Sequence, residues 1–140
     1  MTGIGFKRDK YDLLERLIEF GLRVMAVVEE LPRTKIGNHV GGQLARSGTS
    51  PAPLYAEALG AESRADFIHK MRTALKELRE TWVWLIYTRR KPLLKHPERL
   101  DSLIQENSEL IAIFVSSVNT ATRNKQRERL RKSDSEPESA

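Results

Sequence analysis

Apolar residues recur at steps of three and four through four stretches of the chain, a spacing that predicts four amphipathic helices. From Asp9 to Glu30 the apolar positions are Leu13, Leu14, Leu17, Ile18, Val24, Met25 and Val28. Gly21 lies in line with them, where a neighbouring backbone can approach closely. Pro32 follows and stops the helix. From Thr34 to Leu59 the stripe is thinner: Ile36, Val40, Leu44, Ser47, Pro51, Leu54 and Ala58. Its period still suits a helix, but Gly37, Gly41, Gly42, Gly48, Pro51 and Pro53 lower intrinsic helicity. Periodicity and propensity together predict a helix kinked or interrupted near Pro51.

Gly60 ends this segment in the manner of a C-terminal glycine cap. Ser63 is a good N-cap, with Asp66 three residues later in a capping-box-like pair. The third helix is expected from Arg64 to Arg90, about 40 Å long at 1.5 Å per residue. Its stripe is Phe67, Met71, Ala74, Leu75, Leu78, Trp82, Leu85 and Ile86. Ile68, Val83, Trp84 and Tyr87 lie off the stripe and imply a second packing partner near the helix end. Pro92 breaks the helix, and Pro97 suits the first turn of the next. That fourth helix carries Leu100, Leu103, Ile104, Leu110, Ile111, Phe114, Val115 and Val118. Asn107 takes a core-facing slot, where a single buried amide can fix register. Beyond Thr122 the apolar pattern ends, and a charged overhang is expected, with Ser133–Ala140 lacking order. No segment reads as a strand. The expected fold is all-α: an antiparallel up-down-up-down four-helix bundle over residues 1–122, its second helix kinked near Pro51, with a charged tail over 123–140.

Composition narrows the chemistry. The chain has 140 residues, 39% hydrophobic and 31% charged, enough for one domain with one core. It has no cysteine, which excludes disulfides and thiolate chemistry. The N-terminal stretch lacks the apolar core of a signal peptide, and the uncharged run Thr81–Thr88 is too short to cross a bilayer. These features predict a soluble, cytoplasmic protein without a membrane partner. The net charge of +5 is concentrated in two places. Thr88–Arg99 holds Arg89, Arg90, Lys91, Lys95 and Arg99 against Glu98, and Arg123–Lys132 holds Arg123, Lys125, Arg127, Arg129, Arg131 and Lys132 against Glu128.

Signals for catalysis are weak. His39 and His96 lie near helix ends, and His69 follows Asp66 in a single Asp-x-x-His. A di-iron bundle needs two Glu-x-x-His pairs, so these read as solvated surface residues and no metal or cofactor is expected. Ser47, Thr49 and Ser50 have no histidine and acid in a nucleophile arrangement, and the glycines of Gly41–Gly48 lack the ending of a phosphate loop. The small residues of Gly41–Ala58 read either as a packing and assembly surface or as a plain kink within a monomeric bundle. The basic stretches read either as solvated surface or as phosphate contacts, with Trp84 and Tyr87 placed to offer stacking surface. No base-reading motif accompanies them, so any binding to RNA or DNA would be electrostatic.

The stretch Leu44–Leu85 carries a recognisable pattern: Arg-Ser-Gly-Thr-Ser-Pro-Ala, then Tyr-Ala-Glu-Ala, then Ala-Glu-Ser-Arg-Ala-Asp-Phe-Ile-His-Lys-Met, then Ala-Leu-Lys-Glu-Leu. It resembles the bacterial four-helix-bundle proteins of 23S rRNA intervening sequences, which include the accessory protein of diversity-generating retroelements. The resemblance implies a ring-like homopentamer without enzymatic activity. For the retroelement relative it implies binding to nucleic acid and association with a reverse transcriptase. Arg46, Ser47, Glu57, Glu62, Ser63 and Phe67 fall on motif positions and are read as structural. The chain departs from the pattern at Pro53 and Leu54, where relatives commonly carry a non-proline and an asparagine. Two function classes follow: an oligomeric nucleic-acid-binding protein acting through Arg89, Arg90, Lys91, Lys95 and the Arg123–Lys132 arm, or a protein-interaction scaffold such as a subunit serving a reverse transcriptase.

Overall fold

The computed structural model describes residues 8–135, and all regular structure among them is helical. Helix α1 spans Arg8–Glu30, α2 Lys35–Thr49, α3 Pro51–Leu59, α4 Arg64–Arg90 and α5 Asp101–Ser135, with a 3₁₀ turn at Pro97–Leu100 leading into α5. Helices α2 and α3 form one rod, so the molecule is a bundle of four rods. Side-chain pairs set the directions. Arg16 on α1 meets Glu106 on α5 while Arg23 meets Ser102, so these helices are antiparallel. Ser47 meets Thr81, and Glu57 meets Lys70, so the α2–α3 rod is antiparallel to α4. Arg64 meets Glu128 and Arg89 meets Asp101, so α4 and α5 are antiparallel.

The predicted interruption near Pro51 is present, and its chemistry is local. Ser50 separates α2 from α3 yet keeps right-handed helical angles, φ −75° and ψ −35°. Pro51 and Pro53 lack N–H groups, and the Thr49 and Ser50 hydroxyls donate back to the carbonyls of Ala45 and Arg46, each at 2.5 Å. Such back-bonding and missing amide donors bend a helix rather than end it. Pro51 stands in the first turn of α3, where its missing donor costs little.

The small residues let α1 and α2 close on each other. A Cβ at Gly48 would sit 2.6 Å from Val24 Cγ1, and one at Gly37 would sit 1.9 Å from the Pro32 carbonyl oxygen. Gly21 of α1 lies against the backbone at Gly48 and Thr49, the close approach its position predicts.

Ser63 caps α4 as expected, accepting from the Asp66 amide at 3.0 Å. Gly60 differs from expectation. Its φ of −100° and ψ of 15° are not left-handed. The amides of Gly60 and Ala61 instead donate to the carbonyls of Glu57 and Ala58, a tightened last turn that needs no special backbone region.

The core is built from Leu17, Phe20 and Val24 of α1, Leu44 of α2, Tyr55 of α3, Met71, Leu78 and Leu85 of α4, and Leu110 and Phe114 of α5. Phe20 and Val27 face inward, whereas Ile18 and Met25, expected inside, are exposed. The inward positions 17, 20, 24, 27 and 31 form a regular three–four alternation. Ile18 and Met25 each lie one residue further round the helix. Ile36 and Trp82 are likewise exposed rather than core-facing, and Ile68 is buried although off the predicted stripe. Ile36 stands in the first turn of α2, at the end of the rod. Asn107 fills the predicted core slot and donates to the Leu78 carbonyl at 3.0 Å.

Candidate nucleic-acid interface

The two basic stretches occupy opposite ends of the bundle. Arg89, Arg90, Lys91 and Lys95 lie where α4 ends and the chain turns back toward α5. Arg123, Lys125, Arg127, Arg129, Arg131 and Lys132 lie on the last turns of α5, beside and beyond the start of α4. The 27 residues of α4 separate them by about 40 Å. The chain therefore presents two basic ends rather than one continuous patch.

At the first end, Arg90, Lys91 and Lys95 are exposed, and none of them is ion-paired among the described residues. Arg89 differs: its Nε donates to Asp101 Oδ1 at 2.8 Å, which raises its pKa further and ties α4 to the start of α5. Pro92 prevents α4 from continuing, and Leu94 tucks into the core beneath the turn. The basic residues therefore sit on the last turn of α4 and on the anchored turn that follows it.

Beside this loop runs an aromatic strip. Trp84 and Tyr87 have ring centroids 5.6 Å apart at 40°, and His39 of α2 meets Trp84 edge-on at 5.6 Å. Tyr87 is 60% exposed and Trp84 half-buried. Spacings of three, four and seven place Lys91 on the same face of the chain as Tyr87 and Trp84. Lys35 and Ile36 stand one helical turn before His39 and are both exposed. Glu77 and Glu80, earlier on α4, are engaged by the Arg46 guanidinium, at 2.9 Å for Glu77, while Asp101 and Glu98 stand beside Arg89 at the end of the helix.

At the second end, α5 continues as a helix through Ser135. Residues 133–135, expected to lack order, belong to it, and the rest of that stretch lies outside the described residues. Arg64 donates to both oxygens of Glu128, at 3.2 and 2.6 Å, and holds the overhang against α4. That contact, with help from Lys132 and Arg131, keeps the Glu128 carboxyl below its ordinary pKa. Arg123, Arg127, Arg129, Arg131 and Lys132 are exposed and Lys125 is half-buried.

Of the motif positions, Ser47 and Phe67 pack inward, Ser63 caps a helix, and Arg46 and Glu57 reach across to α4. Ser47 is fully buried and its hydroxyl donates to Thr81 Oγ1 at 2.9 Å, since the Thr81 proton goes to the Glu77 carbonyl at 2.8 Å. Arg46 bridges α2 to α4, Glu57 lies 3.8 Å from Lys70, Ser63 caps α4, and Phe67 packs half-buried against the core. Glu62 is exposed in the turn. His39, His69 and His96 are all exposed, and no group of three or more metal-ligating side chains occurs among the described residues. No helix there is long and apolar enough to cross a membrane.

A third surface lies along α1 and α3. Leu14, Ile18, Leu22 and Met25 of α1 and Ala52 and Pro53 of α3 line an open, strongly apolar groove of about 370 Å³. The exposed Leu22 was the available signal: it extends Ile18 and Met25 into a second stripe, separate from the core-facing one.

Comparison with known proteins places this architecture. A solved structure of a protein of unknown function from the S23 ribosomal protein family of Bacteroides thetaiotaomicron is 30% identical, with a TM-score of 0.71. The match covers 79% of this chain and 97% of that one. No curated protein matches the chain. The family model for the 23S rRNA-intervening sequence protein matches residues 9–116, from the first turn of α1 into the first half of α5. The chain belongs to the 23S rRNA-intervening sequence protein family.

Proposed function

We propose that this protein is a non-enzymatic nucleic-acid-binding protein that acts as a homo-oligomer, its basic ends contacting phosphate backbones. The observation that carries the reading is the group Arg90, Lys91 and Lys95: three exposed cations, at the end of α4 and on the turn that follows it, without acidic partners among the described residues. Cations neutralised by neighbours gain little from a phosphate, whereas unpaired ones release its condensed counterions. The helical overhang from Arg123 to Lys132 supplies a second contact of the same kind.

Self-association makes weak patches effective. The apolar groove between α1 and α3 supports a subunit contact, because water-exposed Leu22, Ile18 and Met25 gain by burial. In the pentamer that the resemblance implies, five copies of each basic end act together, and linkage of this kind raises avidity by roughly 10²–10⁴. The same groove favours a second reading, in which it docks another protein such as a reverse transcriptase.

Charge reversal tests the assignment. The Arg90→Glu, Lys91→Glu, Lys95→Glu variant should lose most of its affinity for RNA and DNA while keeping its helicity and its mass in solution. Undiminished affinity would remove this end from the interface. Binding of a protein partner that the charge reversal leaves intact, with no affinity for nucleic acid in the parent chain, would favour the second reading.

A further inference from the structure

We infer that the strip formed by His39, Trp84 and Tyr87 is a stacking platform that makes the first basic end selective for single-stranded nucleic acid. This inference rests on the nucleic-acid reading above. Duplex bases are stacked on one another and present only their edges, so an aromatic face adds nothing to duplex binding. Unpaired bases have free faces, and any of the four can stack on an aromatic ring.

The geometry suits that task. The rings of Trp84 and Tyr87 are 5.6 Å apart and 40° from parallel, and His39 braces the indole edge-on from α2. Trp84 also packs against the core, which fixes its position before any ligand arrives. Tyr87 stands out into solvent. It is a poor residue for an isolated surface, since a ring that is 60% exposed gains little by folding.

Charge accompanies the rings. Lys91 shares their face one turn beyond Tyr87, Arg90 flanks it, and Lys35 stands across on α2. None of the three is ion-paired among the described residues. Arg46 takes up Glu77 and Glu80, the acids that would otherwise repel a phosphate along the α2–α4 face. An aromatic strip bordered by cations, with Glu77 and Glu80 taken up by Arg46, matches alternating bases and phosphates of an unpaired strand. It offers no hydrogen-bonding pattern for a particular base, so the selectivity is for strandedness and not for sequence.

The test uses the full chain carrying Trp82→Phe, which leaves Trp84 as the one indole, since the sequence holds two tryptophans. Oligo(dT) and a duplex of the same length are titrated while indole fluorescence and anisotropy are followed. Oligo(dT) should quench Trp84 and bind more tightly than the duplex. Tyr87→Ala should lower affinity for oligo(dT) about tenfold and leave duplex affinity unchanged, and Tyr87→Phe should restore it. Tyr87 is exposed, so its truncation leaves the core intact. Equal, salt-sensitive binding of both ligands, untouched by Tyr87→Ala, would overturn the stacking platform and leave the proposed function standing. No binding of either ligand would overturn both.

Discussion

The Asn107 amide, wholly buried on α5, donates to the Leu78 carbonyl of α4 at 3.0 Å, while its own oxygen has no partner. The contact joins the two longest helices at mid-bundle. The Leu78 carbonyl belongs to a helix, so it does not depend on Asn107 for its partner. Asn107→Leu removes one hydrogen bond and one orphaned oxygen together, and should change stability by no more than about 1 kcal/mol. Asn107→Asp brings a carboxylate against a carbonyl in a dry core and should cost about 3 kcal/mol or more. Chemical denaturation separates the two, and equal losses would contradict the assignment.

Glycine on α2 has two opposite roles. Gly48 carries α2 past Val24, with no room for a methyl group. Gly48→Ala should cost about 1–3 kcal/mol by overpacking, and Val24→Ala in the same chain should recover part of it. At Gly42 a Cβ meets nothing within 4 Å, so Gly42→Ala should stabilise by about 0.5–1 kcal/mol. Thermal or denaturant melts check the signs, and a loss at both positions would mean that α2 does not pack this way.

The overhang should loosen in acid. Arg64 holds the folded Glu128 carboxyl below its unfolded value. A depressed carboxylate stabilises above its unfolded pKa, about 4.3, and that contribution disappears as pH falls through the lower folded value. Carbon chemical shifts from Arg127 to Arg131 should move toward coil values in that window. Glu128→Gln should show part of the change at neutral pH, and identical shifts in parent and variant would contradict the anchor.

Because α4 holds the basic ends about 40 Å apart, they should act separately. Removal of residues 127–140 should reduce affinity and salt dependence while sparing the response to charge reversal at Arg90 and Lys91. A truncation that abolishes that response would mean one shared site. Titrations of parent, truncated, reversed and combined chains provide the comparison.

Much of this architecture is legible in the sequence, because helix period, proline and capping residues are local signals. Ser63, Pro51 and Asn107 act in the structure as their positions predict. Ile18 and Met25 misled because α1 carries two apolar stripes, and spacing alone does not say which one is buried. The buried threonines Thr81 and Thr88 were hidden for a different reason. Each satisfies its hydroxyl on the carbonyl four residues back, so a polar letter occupies a core slot without an unmet bond. The two basic stretches were visible as composition, but their separation depends on the helix between them. The meeting of His39 with Trp84 depends on the register of α2 against α4, which no single helix encodes.

The most direct test of the central claim is a fluorescence-anisotropy titration of a structured RNA and a duplex DNA with the full chain at two salt concentrations. Phosphate contact predicts binding at low salt that weakens steeply at high salt, with log affinity falling by about 0.9 per duplex phosphate neutralised for each tenfold rise in salt. Absence of binding at low salt, or an affinity indifferent to salt, would contradict it.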